Sequence, residues 1–168
     1  MHRTAVISDD GKYRYTLERD WEEGSSRCVF IMLNPSTADD RVDDPTVRRC
    51  IAYAKRFGCY GLTILNLFAY RSTDPKALLK VKNPIGPANN EWLEAAFQVL
   101  EKSIVIFAWG AGANKYQDRV KEVEMLAEAN GISPSVLGLT KRGYPIHPLY
   151  QPKDAQLKRW RFSFVLRD

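Results

Sequence analysis

Apolar positions recur along the chain in two periods, and the places where the period changes mark the elements. Cys28-Val29-Phe30-Ile31-Met32-Leu33 is a continuous apolar run, the pattern of a strand buried on both faces. It breaks at Asn34-Pro35-Ser36-Thr37, because Pro35 has no N–H to give a sheet ladder. Shorter runs of the same kind are Gly61–Leu65, which stops at Asn66, Ser103–Ala108, which stops at Trp109-Gly110-Ala111-Gly112, and Ser135–Leu139. Tyr13, Tyr15 and Leu17 alternate with Arg14, Thr16 and Glu18, which predicts a strand with one wet face at a sheet edge. Trp160, Phe162, Phe164 and Leu166 alternate in the same way and predict a last strand beside that first one.

Between these runs the period lengthens to that of a helix. Asp44-Pro45 supplies an N-cap and a first-turn proline, with Val47, Ile51 and Ala54 on one face and an end near Gly58. Asp74-Pro75 opens another helical piece. The turn Asn83-Pro84-Ile85-Gly86-Pro87 precedes a helix carrying Trp92, Ala96, Phe97 and Leu100, and a further helix runs from about Asn114 to Asn130, with Val120, Val123 and Ala127 inward and Gly131 as its cap. Four alternations of strand and helix predict an α/β fold: a three-layer α/β/α sandwich with a mostly parallel central sheet and right-handed crossovers. In a parallel sheet Asn34, Asn66, Trp109-Gly110 and His147 all emerge at one edge, where open α/β sheets bind ligands.

Composition narrows the picture. The 168 residues suit a single domain spanning 1–168. No apolar run is long enough to span a bilayer, and Met1-His2-Arg3-Thr4 lacks the apolar segment of a secretion signal, so the expectation is a cytoplasmic protein with no membrane partner. Three cysteines without CxxC spacing and two histidines supply neither a disulfide framework nor a zinc site. Cys28, Cys50 and Cys59 read as small core residues. Basic and acidic side chains balance over residues 1–140, so the whole net charge of +5 sits in 141–168. Lys141, Arg142, Lys153, Lys158 and Arg159 there are candidates to hold a polyanion backbone, and a solvated basic sheet edge is the alternative.

The residues at the predicted edge make a neutral, hydrogen-bonding site. No phosphate-cradling P-loop or GxGxxG fingerprint is present, and no nucleophile stands out. An asparagine amide donates and accepts at once, as reading a nucleobase edge requires. Asn34-Pro35 after a buried strand, Leu65-Asn66, Phe107-Ala108-Trp109-Gly110 and His147-Pro148, in that order over roughly residues 28–152, together resemble the motifs of the uracil-DNA glycosylase superfamily. The Asn-Pro-Ser-Thr-Ala-Asp start with the His-Pro-Leu-Tyr end resembles more closely an uncharacterised family catalogued as a domain of unknown function, which supplies no activity.

The superfamily resemblance implies a glycosylase-like fold and metal-independent hydrolysis of the N-glycosidic bond of a base flipped from single- or double-stranded DNA, with no cofactor; the sequence leaves the oligomeric state open, with a monomer favoured. It implies that His147 stabilises charge on the departing base, that Asn34 orients water, and that Asn66 holds the base edge, with Pro35, Ser36 and Gly110 lining the site. Leu149 or Tyr150 would wedge into the gap left by the flipped nucleotide. The loop Ser36–Arg49 lacks the stacking aromatic of those enzymes, so Phe68, Tyr70 or Trp109 would take its place. The same loop carries Asp39, Asp40, Asp43 and Asp44, which repel a DNA backbone unless paired with Arg41, Arg48 or Arg49. Asp39 is a reserve for activating water, and a hard-metal reading of these carboxylates is disfavoured because Asp44 and Asp39 suit caps. Two other classes stay open: a non-catalytic nucleic-acid or nucleotide-binding module, and a hydrolase of free nucleosides or nucleotides.

Overall fold

A computed structural model describes residues 1–98 and 102–164. Seven strands form one mixed sheet: β1 (His2–Ile7), β2 (Arg14–Asp20), β3 (Arg27–Met32), β4 (Gly61–Asn66), β5 (Ile104–Phe107), β6 (Ser135–Val136) and β7 (Lys158–Arg159), in the spatial order β1-β2-β4-β3-β5-β6-β7. The helices are α1 (Pro45–Arg56), α2 (Asn89–Gln98) and α3 (Gln117–Ala129). The four apolar runs form the middle of the sheet, where β4, β3, β5 and β6 pair in parallel. The pairs β1/β2, β2/β4 and β6/β7 are antiparallel. The sheet is therefore mixed rather than mostly parallel.

Alternation along the strands divides the core in two. Cys28, Phe30, Met32, Leu62 and Ile64 pack with Val47, Cys50, Tyr53 and Ala54 of α1. Val29, Ile31, Leu65, Val105 and Phe107 pack on the opposite face with Leu93 and Phe97 of α2 and Val120, Val123 and Ala127 of α3. All three cysteines are reduced and buried, Cys28 and Cys50 with thiols pushed up by desolvation. The caps follow the local sequence. Asp44 Oδ1 accepts from Val47 N at 2.8 Å ahead of Pro45, and Gly131 follows α3 at φ 71°.

Several sequence expectations need correction. The segment containing Tyr15 and Leu17 is not an edge strand, because β1, which its weak alternation concealed, pairs outside it. The C-terminal strand lies at the other end of the sheet from β1 and β2, as the two-residue β7 beside β6. Phe162 and Phe164 fall outside it, and Leu166 lies outside the described residues, as does Leu100. The Ser135–Leu139 run contributes only Ser135–Val136 to the ladder. Residues 111–116 form a 3₁₀ turn before α3 starts at Gln117, and the Asp74-Pro75 piece is likewise a 3₁₀ turn, Pro75–Leu79.

Candidate functional site

The C-terminal ends of β3 and β5 meet the loop leading to His147 around a cavity of about 190 Å³. Asn34, Pro35 and Ser36 after β3, Trp109 after β5, and His147 line it. These five predicted residues are brought together. Gly110 stands behind them: its φ of 79° needs glycine, and a Cβ there would lie 3.4 Å from His147 Cβ, so the turn after β5 can press against the histidine segment. The remaining wall is Arg14, Met32, Leu33, Asp44, Thr46, Val47, Ser72, Thr73 and Pro75.

Asn34 is oriented by backbone. Its Nδ2 donates to Ser72 O at 2.9 Å and Pro35 O at 3.1 Å, while Ser72 N donates to Pro35 O at 2.9 Å. Both loops are thus tied across the β3/β4 seam, and the amide oxygen is the atom left to a ligand. His147 Nδ1 accepts from Leu149 N at 3.3 Å, which leaves the ring proton of the neutral imidazole on Nε2. Burial lowers the pKa of His147, partly opposed by the negative charge of Asp44, so the ring is neutral at pH 7. Asp44 holds the first turn of α1, and its charge also acts on Arg14.

Other predicted residues lie elsewhere. Asn66 shares the α1 face with Leu62 and Ile64 by alternation and pairs with Met32. Its amide is buried outside the cavity wall, with neither Nδ2 nor Oδ1 hydrogen-bonded among the described residues. Phe68 belongs to the opposite face, edge-on to Tyr116 at 4.8 Å, and Tyr70 packs against that same cluster. Trp109 is therefore the one of the three proposed stacking aromatics in the wall. Asp39 is a turn cap, accepting from Arg41 N and Val42 N, which lowers its pKa, and it does not line the cavity.

A second depression of about 440 Å³ lies on the other side of the opening turn of α1, lined by Pro45, Arg48, Arg49, Ala52, Tyr53, Leu149 and Lys153. Tyr150, 81% exposed, stands beside it with its ring centroid 5.8 Å from that of His147. Arg48, Arg49 and Lys153 form no ion pair with a described residue. Lys141 and Arg142, in the turn between Leu139 and Pro145, and Lys158 and Arg159 on β7, line neither cavity nor groove. Of the four carboxylates of the acidic loop, Asp43 alone is ion-paired among the described residues, and with partners other than those expected. Asp43 pairs with Arg19 at 2.8 Å and Arg3 at 3.3 Å, while Arg48 donates to the Asp43 carbonyl. Among the described residues no group of three or more His, Cys, Asp or Glu could hold a metal ion.

Sequence reasoning missed Arg14, Asp44, Thr46, Ser72 and Thr73 as wall residues. Asp44 was legible only as a cap, and nothing local announces that Arg14 faces a site on another strand's end. A larger cavity of about 580 Å³ opens at the opposite sheet edge among Asp20, Glu22, Glu23 and Tyr60, and no predicted site residue lines it. Among the described residues no helix is long and apolar enough to cross a membrane. No curated protein and no solved structure matches the chain. A family model described as a protein of unknown function, DUF1643, matches residues 14–149, a span that runs from Arg14 in the cavity wall past His147, and the chain belongs to that family.

Proposed function

We propose that the chain is a uracil-DNA glycosylase-like, metal-independent enzyme that hydrolyses the N-glycosidic bond of a damaged or modified base flipped out of DNA. The observation that carries this reading is a small cavity and a cationic groove on either side of the first turn of α1, with the segment from His147 to Leu149 contributing to both. At about 190 Å³ the cavity is smaller than the roughly 300 Å³ at which pockets for drug-sized ligands begin. It suits one ring-sized group rather than a whole nucleotide. A base delivered from a polymer, with its backbone along Arg48, Arg49 and Lys153, satisfies both spaces and favours DNA over a free nucleoside.

The chemistry follows from the residues that line the cavity. Breaking the glycosidic bond leaves positive charge on the sugar and negative charge on the departing base. Nε2–H of neutral His147 is a donor suited to that developing charge, and Asn34 Oδ1 is an acceptor for the attacking water. Asp44, rather than Asp39, is the carboxylate in the wall, and its oxygen not engaged with Val47 N can take a proton from that water. Trp109 supplies the apolar wall against the base. Tyr150 and Leu149, exposed beside His147, fit the space vacated by a flipped nucleotide. The orphaned amide of Asn66 beside Met32 supports a polar group entering deeper than the present wall.

The test is single-turnover formation of abasic sites on labelled single- and double-stranded oligonucleotides containing uracil, mismatched thymine, hypoxanthine or bulky modified pyrimidines. Cleavage of one substrate class is expected, with His147→Ala slower by about 10²–10³-fold, the loss seen when a transition-state donor is removed. Folded protein that binds these oligonucleotides but cleaves none would make the chain a binding module instead.

A further inference from the structure

Two arginines of β2 lie buried on the α1 face of the sheet, and the sheet treats them differently. Arg19 is fully buried and fully answered: Nε donates to Asp43 Oδ1 at 2.8 Å, Nη1 to Glu18 O at 2.7 Å, and Nη2 to the Asp39 carbonyl, with Asp43 as its counter-ion. Arg14 is 3% exposed. Its Nη1 donates to Ala38 O at 2.7 Å, but Nε is buried with no partner and no carboxylate of a described residue lies within ion-pair distance. A buried guanidinium without a counter-ion is costly, so a purely structural arginine here would be expected to resemble Arg19. Arg14 instead lines the cavity together with Ser36, Thr46 and Thr73, three side chains able to donate to an anion, whereas the Ser72 hydroxyl in the same wall already donates to Asp74 O at 2.8 Å.

We propose that Arg14 anchors a compact oxyanion of the ligand, a phosphate or a carboxylate, within this cavity, and that Asp44 across it limits the affinity. The inference rests on the same cavity as the glycosylase reading but not on its chemistry. Desolvation pulls the pKa of Arg14 down to about 10, so it is still charged at neutral pH. The guanidinium fork matches either oxyanion in two-pronged geometry. Asp44 caps α1 in the same wall and its charge favours the charged form of Arg14 without an ion pair, while Arg71 and Arg19 oppose it. The bound site would gain a direct partner.

Trp109 in the wall provides the readout. Tryptophan fluorescence, with Trp109→Phe marking the share of Trp109 among the four tryptophans, would be followed while the full chain is titrated at constant ionic strength with inorganic phosphate in one arm and acetate in another, chloride being the control. A saturable change with phosphate, acetate or both, absent with chloride, is expected, and the arm that saturates at lower concentration names the oxyanion. Arg14→Gln should weaken it by about tenfold or more, with thermal unfolding showing that the variant folds. Asp44→Asn keeps an N-cap residue and should tighten it. No saturable change in the wild type, equal affinity in a folded Arg14→Gln, or weaker affinity in Asp44→Asn would each overturn the proposal. The titration involves no turnover, so failure to form abasic sites and failure to bind oxyanions are separate results.

Discussion

His147 shows how a single side chain acquires a chemical state from its surroundings. Its Nδ1 is engaged by Leu149 N and its pKa is lowered by burial, so the neutral form persists through the ordinary histidine range near 6.5. Turnover that needs Nε2–H of a neutral ring should be flat around pH 7 and fall on the acid side below about 6.5, measured as rate against pH. The stability linkage has the same sign: the folded-state pKa lies below the unfolded one, so this contribution is complete above the unfolded pKa and is lost as pH falls through the folded pKa. His147→Gln, which retains a donor but cannot titrate, should flatten the acid limb. An unchanged limb in that variant would assign the titration to another group. At the same scale Phe107, fully buried against Trp109 with ring centroids 4.5 Å apart, should cost about 3–5 kcal/mol on truncation to alanine, read by denaturant unfolding.

At the scale of elements, the first turn of α1 serves two spaces. Asp44, Thr46 and Val47 face the cavity while Pro45, Arg48 and Arg49 face the groove, because successive helical residues are turned by about 100°. Asp44→Ala should destabilise by about 1 kcal/mol through loss of the cap, measured as a shift in the denaturant midpoint. On the groove side, Arg49→Gln and Lys153→Gln should each weaken DNA binding evenly across sequences and lower the salt slope by about 1, the share of one phosphate contact. Lys158→Gln and Arg159→Gln on β7, which line neither space, should leave the slope nearly unchanged. A slope insensitive to Arg49 and Lys153 would move any DNA surface elsewhere. The elements themselves were largely legible. Asp44-Pro45 and Gly58 bracket α1 because capping is local chemistry, and the four apolar runs lie in the four central strands because burial on both faces suppresses alternation. The edge strands were not, since β1 and β7 pair at the ends of the sheet with much of their surface exposed and carry little periodic signal.

Across the whole molecule, the C-terminal segment is tied back to α3 by one carboxylate. Glu124 is fully buried and accepts from Trp160 Nε1 at 2.7 Å and from the Ser163 backbone N and hydroxyl. Glu124→Ala would leave the indole N–H without its partner and should cost at least about 1–3 kcal/mol, seen in thermal unfolding together with faster proteolysis near Trp160. This closure also explains why, among the described residues, the stretch from Trp160 to Phe164 does not become the wet alternating strand its sequence describes. Trp160 and Phe162 pack on the α2/α3 cluster rather than along the sheet edge.

By itself the sequence determined the central strands, the α1 caps and the buried cysteines, because each depends on neighbours within a few residues. Tertiary structure decided which of the marked residues meet. It joined Asn34, Trp109 and His147 around one cavity, buried Asn66 beside it, sent Phe68 to the other face, and turned Asp39 into a turn cap. It also brought in Arg14 and Asp44, one from a strand that precedes every motif and the other from a cap. The physical reason is that a side chain's face depends on strand order and register, which are set by contacts between residues far apart in the chain, and a single buried arginine reads alike from sequence whether or not the fold supplies it with a counter-ion.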